Sequence, residues 1–444
     1  MSFRVYESCS SPTADAEIAI KMTAREERTV ILPPELWRRI FNFATSVPGT
    51  LVPDIYEHSS IIGPLYNRRY HSALRAALIT KSSLVRVCKQ WWRLAKRYLY
   101  QAIYIGKVGC LLSLSNTLKK YAAGDGTIPG VHSLGSWAQR LDVVFDDESI
   151  DPEAECEYLA DIIRSLPNLA IASFAVASDD YEYELMRPNI IHALLCSASS
   201  LRVLDWSSYG LFPEIDQLEG VLLKGIPHLH ILKSHVLSWK DGFVPTHALS
   251  SVHTLIVESF HDTPDHFGPV DTGEAPTNLQ EVVLSVDVFR PHLWRAFMGR
   301  YGTYLTSVQI RQAHHIGRSL NAFLGMIDGS CPNLRRISLS VTNFSYIFLD
   351  GFSLPPVEYF GVSAEVDQQD QSDYSHLFTV LAFVRDTAPT VRVVQLIDPR
   401  NVDALLTQHS TLAAHALDQQ LAGSTFRVEC HDGILLTGRS NGTN

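Results

Sequence analysis

The pattern of apolar and polar positions changes character along the chain. Residues 1–28 are polar and without periodicity, which predicts a disordered N-terminal tail. Order is expected from Thr29-Val30-Ile31-Leu32-Pro33-Pro34-Glu35-Leu36. The paired prolines fit the first turn of a helix, and Glu35 places a carboxylate at its positive end. Leu36, Ile40, Phe43 and Ala44 then recur at helical spacing, with Trp37 and Phe41 as a second stripe, until Val47-Pro48-Gly49 stops the helix. Residues 48 to about 70 carry Pro48, Pro53, Gly63 and Pro64 and read as a loop. A further helix is expected from Ser82 or Ser83, either of which can cap it, with Leu84, Val87, Cys88, Trp91 and Ala95 on one face. Leu99, Tyr100, Ile103 and Ile105 complete this part.

Beyond residue 125 a different period takes over. An apolar residue, two spacers, an apolar residue, one spacer and an apolar residue recur as Leu201–Trp206, Val252–Val257, Leu279–Leu284, Leu305–Ile310, Leu334–Leu339, Val357–Val362 and Val391–Leu396. Weaker copies start at Leu141, Leu169 and Leu229. First positions lie 23 to 34 residues apart, overlapping the leucine-rich-repeat length of about 20–29 residues. A proline turn, usually with Asn, precedes several copies: Pro167-Asn168, Pro227-His228, Pro276-Thr277-Asn278 and Pro332-Asn333. Return helices fit Cys156–Ser165, Asn189–Ser197, Ser319–Ile327 and His376–Arg385. One such unit cannot bury its own apolar face, so neighbours must stack. The expected fold class is α/β: a small all-helical module, then an irregular leucine-rich-repeat solenoid with a parallel sheet. Residues 401–444 are expected to supply a closing helix and strand and then a tail.

Charge sharpens the division. From His58 to Gly124 there is no Asp or Glu and there are twelve Lys or Arg, whereas from Asp125 onward 39 acidic residues face 19 basic ones, a net of −20. The acidic body opposes nucleic-acid binding, since phosphate contacts need positive charge. The basic block suits an acidic protein, and Trp91 and Trp92 among its cations also admit single-stranded nucleic acid as a weaker reading. The seven cysteines form no CxxC pair. No secretory signal or spanning segment is evident in the sequence, so reduced thiols in the cytoplasm or nucleus are expected.

The stretches Leu32-Pro33-Pro34-Glu35-Leu36-Trp37-Arg38-Arg39-Ile40-Phe41 and Leu84-Val85-Arg86-Val87-Cys88-Lys89-Gln90-Trp91-Trp92-Arg93-Leu94 resemble the two halves of an F-box. The resemblance places an F-box at 29–105, with an insertion at about 47–80 between its halves. A linker at 106–129 would follow, then the solenoid at 130–430 and a tail at 431–444. It implies the substrate-recognition subunit of an SCF-type ubiquitin ligase, in which the F-box binds a Skp-type adaptor, and through it a cullin, while the repeats bind a client protein. It makes Leu32, Pro33, Leu36, Ile40, Val87 and Trp91 the adaptor-binding or module-forming residues, with Trp37 and Trp92 as internal packing. It implies no catalysis, cofactor, metal or membrane.

Other chemistry is sparse. Gly438-Arg439-Ser440-Asn441-Gly442 matches a nucleophile elbow but leaves no room in this sequence for the helix that motif needs. Gly124-Asp125-Gly126 lacks the Lys-Ser/Thr of a phosphate loop. His261, Asp262, Asp265 and His266 read as a solvated loop rather than a metal site, and His314-His315 and His228, His230, His235 lack a second ligand group at metal spacing. The competing classes are a repeat scaffold acting outside any ubiquitin ligase and an enzyme with an unrecognised site.

Overall fold

The computed structural model describes residues 32–53, 68–122, 133–145, 152–176, 184–185, 188–206, 211–212, 224–236, 238–239, 242–243, 249–259, 278–285, 291–312, 317–365 and 370–436. Its strands are β1 (Ala102–Ile105), β2 (Arg140–Phe145), β3 (Ile171–Val176), β4 (Glu184–Leu185), β5 (Val203–Trp206), β6 (Leu211–Phe212), β7 (Ile231–Val236), β8 (Ser238–Trp239), β9 (Gly242–Phe243), β10 (Thr254–Ser259), β11 (Glu281–Ser285), β12 (Ser307–Gln312), β13 (Arg336–Val341), β14 (Tyr359–Ala364), β15 (Val393–Leu396) and β16 (Arg427–Glu429). Strands β4 and β6 pair with each other, as do β8 and β9; the other twelve form one sheet in which spatial order follows chain order. Each neighbouring pair in it is parallel.

Eleven α-helices occur among the described residues: α1 (Pro34–Thr45), α2 (Arg68–Val87), α3 (Lys89–Gln101), α4 (Leu111–Ala122), α5 (Pro152–Arg164), α6 (Pro188–Leu195), α7 (Pro291–Tyr301), α8 (Gly317–Ser330), α9 (Gln371–Thr387), α10 (Pro399–Gln408) and α11 (Ser410–His415). The fold is mixed α/β. Helices α5, α6, α8 and α9 fall where amphipathic return segments were expected, and α10 with β16 provides the closing helix and strand. Helix α7 was not anticipated. No helix among the described residues is long and apolar enough to cross a membrane.

Register explains the apolar template. Its middle position lines up across the sheet as Ile103, Leu141, Ala172, Leu204, Leu232, Leu255, Val282, Val308, Ile337, Phe360, Val394 and Val428. All are buried in one continuous core with the inward faces of α5, α6, α7, α8 and α9. Burying one such side chain contributes about 1.5–3 kcal/mol, so the column is the main adhesive between units. The same alignment corrects one expected start: Leu141 occupies the middle position, and the first position of its unit is Ala138, also fully buried.

The recurring Asn before the template has a mechanical role. Asn168, Asn278 and Asn333 each donate through Nδ2 to a carbonyl of the preceding unit, Ser136, Ser250 and Thr303, at 2.7, 2.6 and 2.7 Å. Ser200 makes the equivalent bond to the carbonyl of Pro167 at 3.1 Å. Gly135 and Gly302 occupy matching turn positions for a second reason. A Cβ at Gly135 would lie 1.8 Å from the carbonyl oxygen of Ser165, and one at Gly302 would lie 2.4 Å from that of Ser330.

The sheet departs from simple inward–outward alternation. Ile171, Val203, Ile231, Ile256 and Val283 form a second buried cluster, which among the described residues is drawn from strands alone. The central strands are thus covered on both faces, which accounts for their near-continuous apolar runs. Charges are enclosed on this second face too. Asp205 meets Lys233 at 3.3 Å, both fully buried, and accepts from Ser173 at 3.0 Å. Burial pushes the Lys233 ammonium down to about 7, while Asp205 pulls it back up.

The expected helical module ending at 105 and linker at 106–129 meet a different arrangement among the described residues. Residues 102–105 form the first strand of the sheet rather than the end of a helical module, and the stretch expected to be a linker carries α4, whose Leu111 and Leu118 enter the main core.

Gly302→Ala is expected to lower the unfolding free energy by roughly 1–3 kcal/mol through overpacking. By contrast Gly299→Ala, in a helix and with nothing near its Cβ, should be neutral or raise stability by up to about 1 kcal/mol; urea titrations would compare them. From pH 7 to about pH 9, below the free lysine value, the unfolded chain keeps a proton that folded Lys233 has released, so this group makes stability rise with pH. That rise should shrink in Asp205→Asn/Lys233→Met, and an identical slope in both proteins would contradict it.

Candidate docking surface on the N-terminal helices

Helix α1 begins where the prolines allow. Pro34 fills its first turn, and the Pro33 carbonyl accepts from the backbone N–H groups of Leu36 and Trp37 at 3.0 and 3.3 Å. Its two stripes have opposite fates. Phe41 is fully buried, Trp37 half-buried, and Thr45 turns its hydroxyl back onto the Phe41 carbonyl at 2.7 Å. On the other side Leu36, Ile40 and Phe43 stand 42%, 45% and 90% exposed.

Helix α3 supplies the inward partner. The Cys88 sulfur caps it by accepting from the Trp91 N–H at 3.4 Å. Trp91, Ala95 and Tyr98 then face α1 at spacings of four and three. The Trp91 ring centroid lies 4.8 Å from that of Trp37 and 4.9 Å from that of Phe41. Tyr98 donates its hydroxyl to the Arg38 carbonyl at 3.0 Å. Leu84 and Val85, from the end of α2, pack on the same cluster.

The expected start at Ser82 or Ser83 is corrected. Both lie inside α2, which runs unbroken from Arg68 to Val87, so the segment expected to be an insertion is helical from residue 68 onward. Serine is a mediocre helix former and an excellent cap, and here neighbouring helices override that preference.

The six candidate residues therefore separate. Pro33, Leu36, Ile40 and Val87 are exposed and Leu32 is half-buried, whereas the Trp91 ring is committed to the module's own packing. Val87 is 60% exposed. Phe43 completes the outward stripe and belongs with it; its spacing of seven from Leu36 was the available signal. Ile79, 70% exposed on α2, carried no such signal, because its surroundings read as an insertion. Arg38, Arg39, Arg86, Lys89, Arg93 and Arg97 are exposed on these helices. Other basic residues of the block are otherwise engaged: Lys96 lies over the Trp137 ring at 5.3 Å, Arg75 donates to the Tyr104 hydroxyl at 3.1 Å, and Lys81 is buried.

The buried guanidinium of Arg140 in β2 grips Asp142 through two bonds of 2.7 Å and donates to the Thr50 carbonyl at 3.4 Å. The turn after α1 is thereby tied to the sheet.

His230 stacks on His253 with ring centroids 5.1 Å apart, and no group of three or more potential metal ligands occurs among the described residues. Asp125, His261, Asp262, Asp265, His266, His314, His315 and Ser440 lie outside the described residues. No protein-family model matches the chain, and no curated protein matches it.

The opposed stripes of α1 predict opposite mutational outcomes. Trp91→Ala should destabilise the protein by about 3–5 kcal/mol, as a large aromatic truncation in a core does, whereas Phe43→Ser should leave thermal stability within about 0.5 kcal/mol. Calorimetry of the two variants would separate them, and a large loss in Phe43→Ser would place that ring in the core.

Proposed function

We propose that this chain is the substrate-recognition subunit of an SCF-type ubiquitin ligase. In this reading α1 to α3 form an F-box that docks a Skp-type adaptor, and through it a cullin. The parallel sheet and its return helices form a leucine-rich-repeat solenoid that holds a client protein. The role is binding, not catalysis.

The observation that carries the proposal is the outward stripe of α1. Leu36, Ile40 and Phe43 present apolar surface on a helix whose opposite side is already occupied by Trp91 and Tyr98. Isolated exposed apolar residues are ordinary, but a contiguous row on a short helix marks an interaction site. Leu36 and Ile40 of this stripe are among the residues that carry the F-box resemblance. The surrounding arginines and lysines favour an acidic partner by steering and by excluding basic ones. The second support is the chain-ordered parallel sheet, with one template position repeated in every strand, as stacked units require. The net charge of −20 from Asp125 onward argues for a client surface that is not strongly acidic.

Affinity capture of the full chain from cell extract should bring down the Skp-type adaptor and the cullin. Leu36→Ser with Ile40→Ser should abolish that capture without lowering the melting temperature, since two central anchors each contribute about 2 kcal/mol or more. Adaptor capture that survives both substitutions would remove α1 from the interface. A chain that captures neither protein would end the ligase reading.

A further inference from the structure

The long acidic body carries an exposed basic island. Of the 19 Lys and Arg from Asp125 onward, four arginines gather where the last four strands of the sheet begin. Arg336, Tyr359, Val393 and Arg427 lie side by side across β13, β14, β15 and β16. Their successors Ile337, Phe360, Val394 and Val428 enter the main core with the helices, so this row faces the other way. Arg335 and Arg392 stand one residue upstream of it. All four arginines are exposed, and Tyr359 and Val393 between them are half-buried.

The row is held in place and its donors are open. The Arg336 guanidinium lies over the Tyr359 ring at 4.2 Å. The Tyr359 hydroxyl is held by Gln395, whose amide donates to the carbonyls of Cys430 and His431 at 2.9 and 3.2 Å. Stacking uses the face of a guanidinium and leaves its in-plane fork of donors. Among the described residues Arg335, Arg336 and Arg392 form no ion pair. Glu429 takes the Nε of Arg427, which leaves its two terminal amino groups. The acids within the island are Glu358 and Glu429, two against four arginines. Glu281, two strands from Arg336, is already bonded to Ser307 and Thr254.

Neighbouring strands lie about 4.8 Å apart, so three steps put Arg427 about 14 Å from Arg336. In an extended peptide crossing the strands, side chains four residues apart point to one side and stand about 13 Å apart. A carboxylate at each end then reaches one arginine, and the residue midway settles over Tyr359 and Val393. The net charge of −20 from Asp125 onward repels an acidic domain, so a short acidic segment is what the island can select.

We propose that the open face of β13 to β16 docks a short extended peptide segment with Asp or Glu at positions i and i+4 and an apolar residue at i+2. The inference rests on the reading of the sheet as the part that holds a client, and it names the chemistry of that client.

The test titrates the full chain with the peptide Gly-Glu-Ser-Leu-Ser-Glu-Gly by ligand-observed NMR. Salt of about 0.15 M screens charges beyond about 8 Å. The peptide should bind, and Arg336→Gln/Arg427→Gln should weaken it about tenfold through loss of two charge-assisted contacts. The melting temperature should not move, because both side chains are exposed. Lys224→Gln/Arg295→Gln removes the same charge from exposed positions elsewhere and should change affinity less than about twofold. The rearranged peptide Gly-Glu-Glu-Ser-Leu-Ser-Gly should bind about threefold more weakly or worse, since it engages one arginine at a time. No binding, binding that survives the arginine changes, an equal loss in the control protein, or equal affinity for the rearranged peptide would overturn the proposal. Tighter binding of oligothymidylate than of the peptide would overturn it too, by assigning the island to nucleic acid. The adaptor takes no part in this titration, so a failure here leaves adaptor capture intact, and failed adaptor capture leaves the peptide result intact.

Discussion

The fold depends on one column of apolar side chains that crosses twelve parallel strands. Each member, from Ile103 to Val428, is buried only because the units on either side and the helices behind it supply the cover. The backbone ladder sets the spacing, and the column makes that spacing favourable. Each strand of the column therefore depends on its neighbours for cover. The turn contacts serve the same end. Asn168, Ser200, Asn278 and Asn333 satisfy carbonyls of the preceding unit that would otherwise be left at the sheet's edge.

The N-terminal helices obey a different rule. Their core is an aromatic cluster of Trp37, Phe41, Trp91 and Tyr98, small enough that three helices can enclose it. An amphipathic helix normally has one apolar stripe. Helix α1 has two, and only one is used internally. The remaining stripe is the physical basis of the docking proposal. The Arg140 contact at Thr50 places that stripe in a fixed relation to the sheet.

Much of the sheet was legible because the strand template repeats with a fixed internal spacing, and a repeated signal overrides local noise. The exception at Leu141 is instructive. Ala138, a small residue at the first position, hides the true start behind the more strongly apolar Leu141. In the helical part, both stripes of α1 were readable from Leu36, Trp37, Ile40 and Phe41, with Trp37 expected to pack internally, but what it packs against was not. That is decided by Trp91 and Tyr98, fifty or more positions away. The start of α2 was missed because Ser82 and Ser83 carry a strong cap preference that tertiary packing overrules. Lys81 looked like one more solvated cation in a basic run, since sequence reports charge and not enclosure. The cover on Ile171, Val203 and Ile231 likewise had no local signature beyond the continuous apolar run.

The close approach at Gly135 and Gly302 limits how such a chain can change length in evolution. Where a carbonyl of the next unit sits within reach of a missing Cβ, neither a bulkier side chain nor an inserted residue fits without parting two neighbours. Growth is therefore confined to segments away from those seams, or to duplication of an entire strand-and-return module. The unequal spacing between copies, set against the strict registration of their strands, is the trace such a constraint would leave.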